Sequence, residues 1–170
     1  MDMQTDRLLL RRFETGDKAD LYAYLSDSEV VRFEPYPPMS VEQCEEFLEQ
    51  MIHSNDFWAV CLQENGKQIG QVYLSEKEQN NWELGYVFNG EYQHKGYAFE
   101  AVKTLVSDVF TNGNAHRVFA HCNPDNVPSW RLLEKLNFRR EGHLRQNIFF
   151  KTNDDGSPAW QDTFEYGVLR

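Results

Sequence analysis

The run Gln93-His94-Lys95-Gly96-Tyr97-Ala98 is a short polar loop that delivers the backbone straight into a helical pattern. A loop of this kind presents unpaired backbone N–H groups and the positive end of the helix dipole, which together suit an anion such as a diphosphate. Gly96 removes a Cβ where a ligand must approach the backbone, and His94 and Lys95 add polar and cationic contacts. A P-loop needs Gly-Lys followed by Ser or Thr, and a dinucleotide fold needs three spaced glycines; neither pattern is present here. No His, Cys and carboxylate cluster has metal-ligand spacing, so no metal is expected.

Two strand–loop–helix units position these groups. Trp82, Leu84, Tyr86 and Phe88 alternate with Glu83, Gly85 and Val87, the period of a strand. After the loop, Ala98, Ala101, Val102, Leu105, Val106 and Val109 recur at helical spacing, and Thr111, Asn112 and Gly113 stop the helix. Downstream, Arg117 to Cys122 reads as a strand and Asn123-Pro124-Asp125-Asn126 as a turn. Val127, Trp130, Leu133 and Leu136 then keep helical spacing, with Asn126 as N-cap, Pro128 in the first turn, and Asn137-Phe138 at the end.

Gln93-x-x-Gly96-x-Ala98 resembles the acyl-CoA pyrophosphate loop of the GCN5-related N-acetyltransferase (GNAT) superfamily. The segment from Asn126 through Ser129 and Leu132 to Leu136-Asn137-Phe138 is similar to its second signature, in which an Asn begins the helix and Leu-Gly-Phe closes it. Thr5-x-Arg7-Leu8 and Trp160-x-Asp162-x-x-x-Tyr166-x-x-Leu169 resemble the opening and closing strands of the ribosomal-protein N-terminal acetyltransferase branch, so the resemblance spans the chain.

The 170 residues, 41% hydrophobic and 14% aromatic, suit one domain over residues 1–170 with one sizeable core. Without a membrane-length apolar run or a signal peptide, a cytoplasmic protein is expected, as a monomer or homodimer. Cys44, Cys61 and Cys122 are widely spaced and read as buried thiols. A net charge of −10 argues against direct nucleic-acid binding and suits a cationic acceptor, although acidity also serves solubility alone.

Along the rest of the chain, Arg7 to Phe13 is a strand, and Asp17 caps a helix carrying Leu21, Tyr22 and Leu25. Val30 to Met39 is an aromatic, proline-rich connection, and Ser40 to Gln43 forms a capping box for a helix with Cys44, Leu48 and Met51. Phe57 to Leu62 and Lys67 to Leu74 form a hairpin around Asn65-Gly66, with Trp82 opening the next strand. The helix after Ala98 must then cross over to a parallel strand at Arg117. Arg139 to Phe150 and Gln161 to Leu169 are the last strands, joined by a turn-rich loop over 152–158. The expected class is α+β: a mostly antiparallel twisted sheet of about seven strands with one splayed parallel pair and helices on both faces.

The resemblance implies an acetyl-CoA-dependent N-acetyltransferase acting on a primary amine, either a protein N-terminus or a small molecule, by direct attack in a ternary complex. Its alternative is a non-catalytic acyl-CoA-binding or sensor module. The cofactor would lie against the backbone of Tyr86, Val87 and Phe88, the loop from Gln93 to Ala98, and Asn126 and Ser129. An extended pantetheine arm can bond to a splayed strand like an added strand, and the oxyanion donor would be an N–H near Val87 or Phe88. The family's usual acid, a Tyr seven residues after the Asn, is replaced by Leu133. The resemblance to the ribosomal-protein branch, which assigns the role to a Ser at this place, then implies Ser129 as the acid, the alternative being that Ser129 only helps cap the helix or bind pantetheine. Glu83 is the base assigned here, with His121 able to relay a proton through water instead. Phe33 and Tyr36 would wall the acceptor pocket, or else belong to a stiff surface loop.

Overall fold

Apolar residues at strand and helix periods divide the chain into two cores separated by one sheet. The computed structural model describes residues 2–170. Its strands are β1 (Met3–Gln4), β2 (Leu8–Arg11), β3 (Phe57–Leu62), β4 (Gln68–Glu76), β5 (Asn81–Phe88), β6 (Arg117–Cys122), β7 (Arg139–Ile148) and β8 (Gln161–Leu169). The helices are α1 (Lys18–Leu25), α2 (Val41–Ile52), α3 (Tyr97–Thr111) and α4 (Val127–Lys135). The strands form one sheet in the order β1-β2-β3-β4-β5-β6-β8-β7, antiparallel throughout except for β5 beside β6. The two-residue β1 is the strand that sequence periodicity does not reveal, because alternation needs a longer run to be visible.

One face of the sheet carries α3 and α4. Ala101, Val102 and Leu105 of α3 and Leu133 of α4 pack on Leu10, Val60, Val72, Leu84 and Val118. On the other face, Leu21, Tyr24 and Leu25 of α1 and Cys44, Leu48 and Met51 of α2 pack on Ala59, Cys61 and Val87. Each fully buried leucine contributes about 1.5–3 kcal/mol relative to exposure. The capping box of α2 forms as its residues predict: Ser40 Oγ accepts from the Gln43 N–H at 3.2 Å, and Gln43 Oε1 accepts from the Ser40 N–H at 2.9 Å.

Several local expectations are corrected. Asp17 stands at the N-cap of α1 but makes no capping bond; its buried carboxylate accepts from both terminal nitrogens of Arg11 at 2.8 and 2.6 Å. The aromatic that α1 buries is Tyr24, bonded to Gln71 and Gln68, while Tyr22 is exposed. α3 ends at Thr111 with Asn112 as its C-cap, as expected, and the left-handed residue that follows is Asn114 (φ 55°). Asn137 takes the left-handed conformation (φ 64°) that ends α4 where the family pattern has glycine, and Asn is the usual substitute for Gly there. Asn65-Gly66 closes a four-residue loop in which Gly66 alone is left-handed (φ 75°), a longer hairpin than the tight two-residue turn.

Asp162 and Tyr166 of the closing strand tie neighbouring elements together. Asp162 accepts from the Gln146 N–H at 2.8 Å, where β7 bulges. The Tyr166 hydroxyl donates to Glu134 on α4 and accepts from Arg140 on β7, both at 2.8 Å.

Candidate active site

The site begins where β5 and β6 part. Their parallel register runs from Asn81 opposite Arg117 to Leu84 opposite Ala120 and stops. Beyond it β5 stays paired with β4 as far as Phe88, and β6 stays paired with β8 as far as Cys122. The edge of β5 from Gly85 to Phe88 is thereby released from β6, and every backbone polar group there needs a partner.

Register decides which groups these are. Lys77 N–H donates to Asn81 O, and Asn89 N–H donates to Ile69 O. Hydrogen-bonded pairs between antiparallel strands recur every second residue, so Val87, opposite Gln71, spends its amide on β4. Of the two amides expected near the oxyanion, Val87 or Phe88, the register leaves that of Phe88 facing the gap. Tyr86 and Phe88 direct their backbone groups into the gap, with the Phe88 carbonyl accepting from Gln93 Nε2 at 3.0 Å.

The side chains around this gap lie on two faces. Trp82, Leu84, Tyr86 and Phe88 belong with the α3/α4 core and Val87 with the α1/α2 core. Alternation places Glu83 on the Val87 face and, on β6, sets His121 opposite to Ala120 and Cys122. One cleft of about 1280 Å³ reaches both faces through the gap and is lined by Tyr86, Ser129, Asn126, Glu83, His121 and Glu34 among others.

On the α4 face, the Ser129 hydroxyl lies 3.0 Å from the Tyr86 hydroxyl, which also donates to the Ser129 carbonyl at 3.0 Å. Burial pushes the Tyr86 hydroxyl well above the ordinary phenol range, against the opposing pull of Ser129. Leu133 is core, 1% exposed, and gives the helix no hydroxyl at that position. Asn126 occupies the N-cap position of α4, but its side chain makes no capping bond and lines the cleft. Cys122 also lines the cleft, and burial pushes its thiol up to about 11, which keeps it protonated and a poor nucleophile at neutral pH.

On the opposite face, Glu83 pairs with Lys77 at 3.3 Å and lies 4.0 Å from His121 Nδ1, while His121 Nε2 meets Glu165 at 3.1 Å. Phe33 and Tyr36 both line the cleft, with Arg32 over the Phe33 ring at 5.0 Å and Tyr36 packed against Phe47. Between them Glu34 is a group that sequence reasoning misses. Burial raises its carboxyl to about 7 against the opposing effect of the Tyr36 hydroxyl. A Glu in a proline-rich connection carries no local signal of burial. Phe150 of the loop between β7 and β8 lines the same cleft, and Lys151 of that loop donates to the Arg32 carbonyl at 3.1 Å.

At the other end of the cleft, His94 (φ 59°) and Gly96 (φ 84°) are both left-handed just before α3. Glycine relieves strain at 96 in this conformation, and a Cβ there would also meet an Arg7 nitrogen at 3.2 Å. Close approach of a ligand is therefore not the sole reason for the glycine. The arrangement leaves the first-turn amides of Tyr97 and Ala98 at the exposed end of a 15-residue helix, suited to an anion. Released strand edge, anion-accepting loop and through-going cleft fit an extended cofactor with a diphosphate at one end. Among the described residues no group of three or more His, Cys, Asp or Glu could hold a metal ion.

Comparison with known proteins agrees with this geometry. The family described as "Acetyltransferase (GNAT) domain" matches residues 7–139. N-acetyltransferase YnaD of Bacillus subtilis (strain 168) is 35% identical over 99% of this chain and 97% of its own length. The crystal structure of a GNAT-family acetyltransferase from Bacillus anthracis is 30% identical, covers 99% of this chain and 98% of its own, and superposes with a TM-score of 0.91. Two relatives at 28% identity carry named acceptors. They are spermidine N(1)-acetyltransferase of Vibrio cholerae (84% of this chain, 85% of its own) and the ribosomal protein uS5-alanine N-acetyltransferase of Escherichia coli K12 (94% and 86%). The chain belongs to the GNAT acetyltransferase family and is an N-acetyltransferase that uses acetyl-CoA.

Proposed function

We propose that this N-acetyltransferase acts on a primary amine by direct attack in a ternary complex, at the gap between β5 and β6. The observation that carries the reading is the division of labour across that gap. Hydroxyls stand on one face, at Ser129 and Tyr86, and carboxylates on the other, at Glu34 and Glu83. Bound acetyl-CoA supplies an activated acetyl thioester.

The released edge of β5 at Tyr86 and Phe88 offers amide groups to the pantetheine arm, and the loop from Gln93 to Ala98 receives the diphosphate. The Phe88 N–H is the backbone donor for the developing oxyanion. Ser129, hydrogen-bonded to Tyr86, delivers a proton to the departing sulfur, and Asn126 helps fix the arm beside it.

The acceptor enters from the Phe33 and Tyr36 side. An amine must lose its proton before attack. Glu34 is the better-poised base, since a carboxyl with a pKa of about 7 holds a proton near neutral pH with less loss of driving force than an ordinary one. Glu83, paired with Lys77 and 4.0 Å from His121, adds a second carboxylate to the lining that receives a cationic acceptor. Relatives that act on spermidine and on a ribosomal protein's alanine both use amine acceptors. A polyamine and a peptide N-terminus are accordingly the two acceptor classes to screen. Mass spectrometry of products from a panel of both, with acetyl-CoA as donor, tests the reading. Acetylation of a primary amine supports it, and acetylation confined to hydroxyl acceptors overturns it.

A further inference from the structure

The opening segment Thr5-Asp6-Arg7 lies outside the cleft, yet its side chains converge on the anion-accepting loop. The Arg7 backbone N–H donates to Glu100 Oε1 at 3.0 Å, and its Nε donates to Glu100 Oε2 at 2.7 Å. Arg7 Nη2 lies 2.7 Å from the same carboxylate, and the Thr5 hydroxyl donates to it as well. The other arm of the guanidinium, Nη1, donates to the Lys95 carbonyl at 2.9 Å, and its Cζ lies over the Tyr97 ring, 4.4 Å from the centroid. One side chain thus ties the carbonyl just before left-handed Gly96 to the first turn of α3. Glu100 is itself notable there, because a carboxylate in the first turn favours the helix dipole but repels a bound anion.

We infer that Arg7, with Thr5, is a positioning residue for the diphosphate of the donor: it locks the loop from Gln93 to Gly96 in its anion-accepting shape and neutralises Glu100. The inference rests on the acetyl-CoA reading of the loop. It assigns Arg7 no contact with the diphosphate. A planar fork that serves a carboxylate and a carbonyl together is not reproduced by lysine, which is a single point charge.

The test compares Arg7→Ala and Arg7→Lys with the unaltered protein by calorimetric binding of CoA and of dephospho-CoA, which keeps the diphosphate but lacks the 3′-phosphate. Turnover of acetyl-CoA is then set against that of S-acetyl-pantetheine, which lacks the diphosphate. Both variants are expected to weaken CoA and dephospho-CoA by a similar factor, about tenfold or more. Their kcat/KM should fall at least fivefold further on acetyl-CoA than on S-acetyl-pantetheine. Equal losses on both donors would make Arg7 a general stabiliser, and loss on CoA but not dephospho-CoA would make it a direct 3′-phosphate ligand; either result overturns the inference, as does unchanged binding. If the unaltered protein fails to bind CoA, the reading of the loop falls and the inference with it, an outcome separate from a normal Arg7→Ala.

Discussion

Ser129 on α4 and Tyr86 on β5 share a hydrogen bond of 3.0 Å between their hydroxyls, across the mouth of the gap that β5 and β6 leave open. In the proposed mechanism this pair supplies a proton where the family's tyrosine is missing. A coenzyme A thiol is expected to have a pKa near that of free cysteine, about 8.5, so its thiolate departs without full protonation and the acid assists rather than governs. Ser129→Ala should lower kcat by roughly tenfold to a thousandfold with little change in acetyl-CoA affinity. Tyr86→Phe should lower it less. Because the two hydroxyls act as a unit, the double variant should resemble Ser129→Ala alone, and additive losses in steady-state kinetics would separate their roles.

Glu34 makes the pH profile diagnostic. As a base it works deprotonated, so kcat/KM for the acceptor should rise with pH through about 7 and level off above it. Glu34→Gln should abolish that limb and leave acetyl-CoA binding intact. The stability sign follows from burial. The folded carboxyl binds its proton more tightly than the unfolded one, so Glu34 favours the fold at low pH. That contribution is lost as pH rises from the unfolded value near 4.5 to about 7. Glu34→Gln should therefore raise the melting temperature at pH 8 more than at pH 5, and a larger gain at pH 5 would mean that the carboxyl is not held in its neutral form.

Gly96 serves conformation first. Gly96→Ala places a side chain at a φ of 84° and against Arg7, at a cost of about 1–2 kcal/mol. It should lower the melting temperature of the free protein and also shrink the further rise that acetyl-CoA gives by linkage. Differential scanning fluorimetry with and without acetyl-CoA reads both effects. A variant as stable as the parent, with a normal acetyl-CoA shift, would show that neither the backbone nor the loop needs glycine.

The aromatic connection is read on the acceptor side. Tyr36→Ala should raise KM for the amine severalfold and leave KM for acetyl-CoA near its original value, as steady-state kinetics in both substrates would show. Equal effects on the two constants would assign Tyr36 to packing against Phe47 alone.

Much of this was legible in order along the chain. The alternation at Trp82 to Phe88, the polar loop with its one glycine and the helical spacing from Ala98 each depend on local periodicity, and the parallel pairing of β5 with β6 follows from the crossover between them. Residues whose roles arise only in three dimensions were not legible. Tyr86 offered a backbone to sequence reasoning because its hydroxyl finds Ser129 only once α4 packs on β5. Glu34 titrates high only because the folded cleft desolvates it. Asp17 looked like a cap until Arg11 turned out to claim its carboxylate. Val87 and Phe88 were indistinguishable as oxyanion donors until the β4 register was known.

The central claim is that an amine crosses the gap between β5 and β6 to take the acetyl group directly. Its most direct measurement is the release of free CoA from acetyl-CoA by the purified protein, titrated against polyamines and peptides with free N-termini, with product masses recorded in the same samples. The account predicts release that depends on the amine, with one acetyl group gained on its nitrogen per thiol freed and none retained on the protein. Tight binding of acetyl-CoA without release in the presence of any amine would contradict it and leave a binding module in its place.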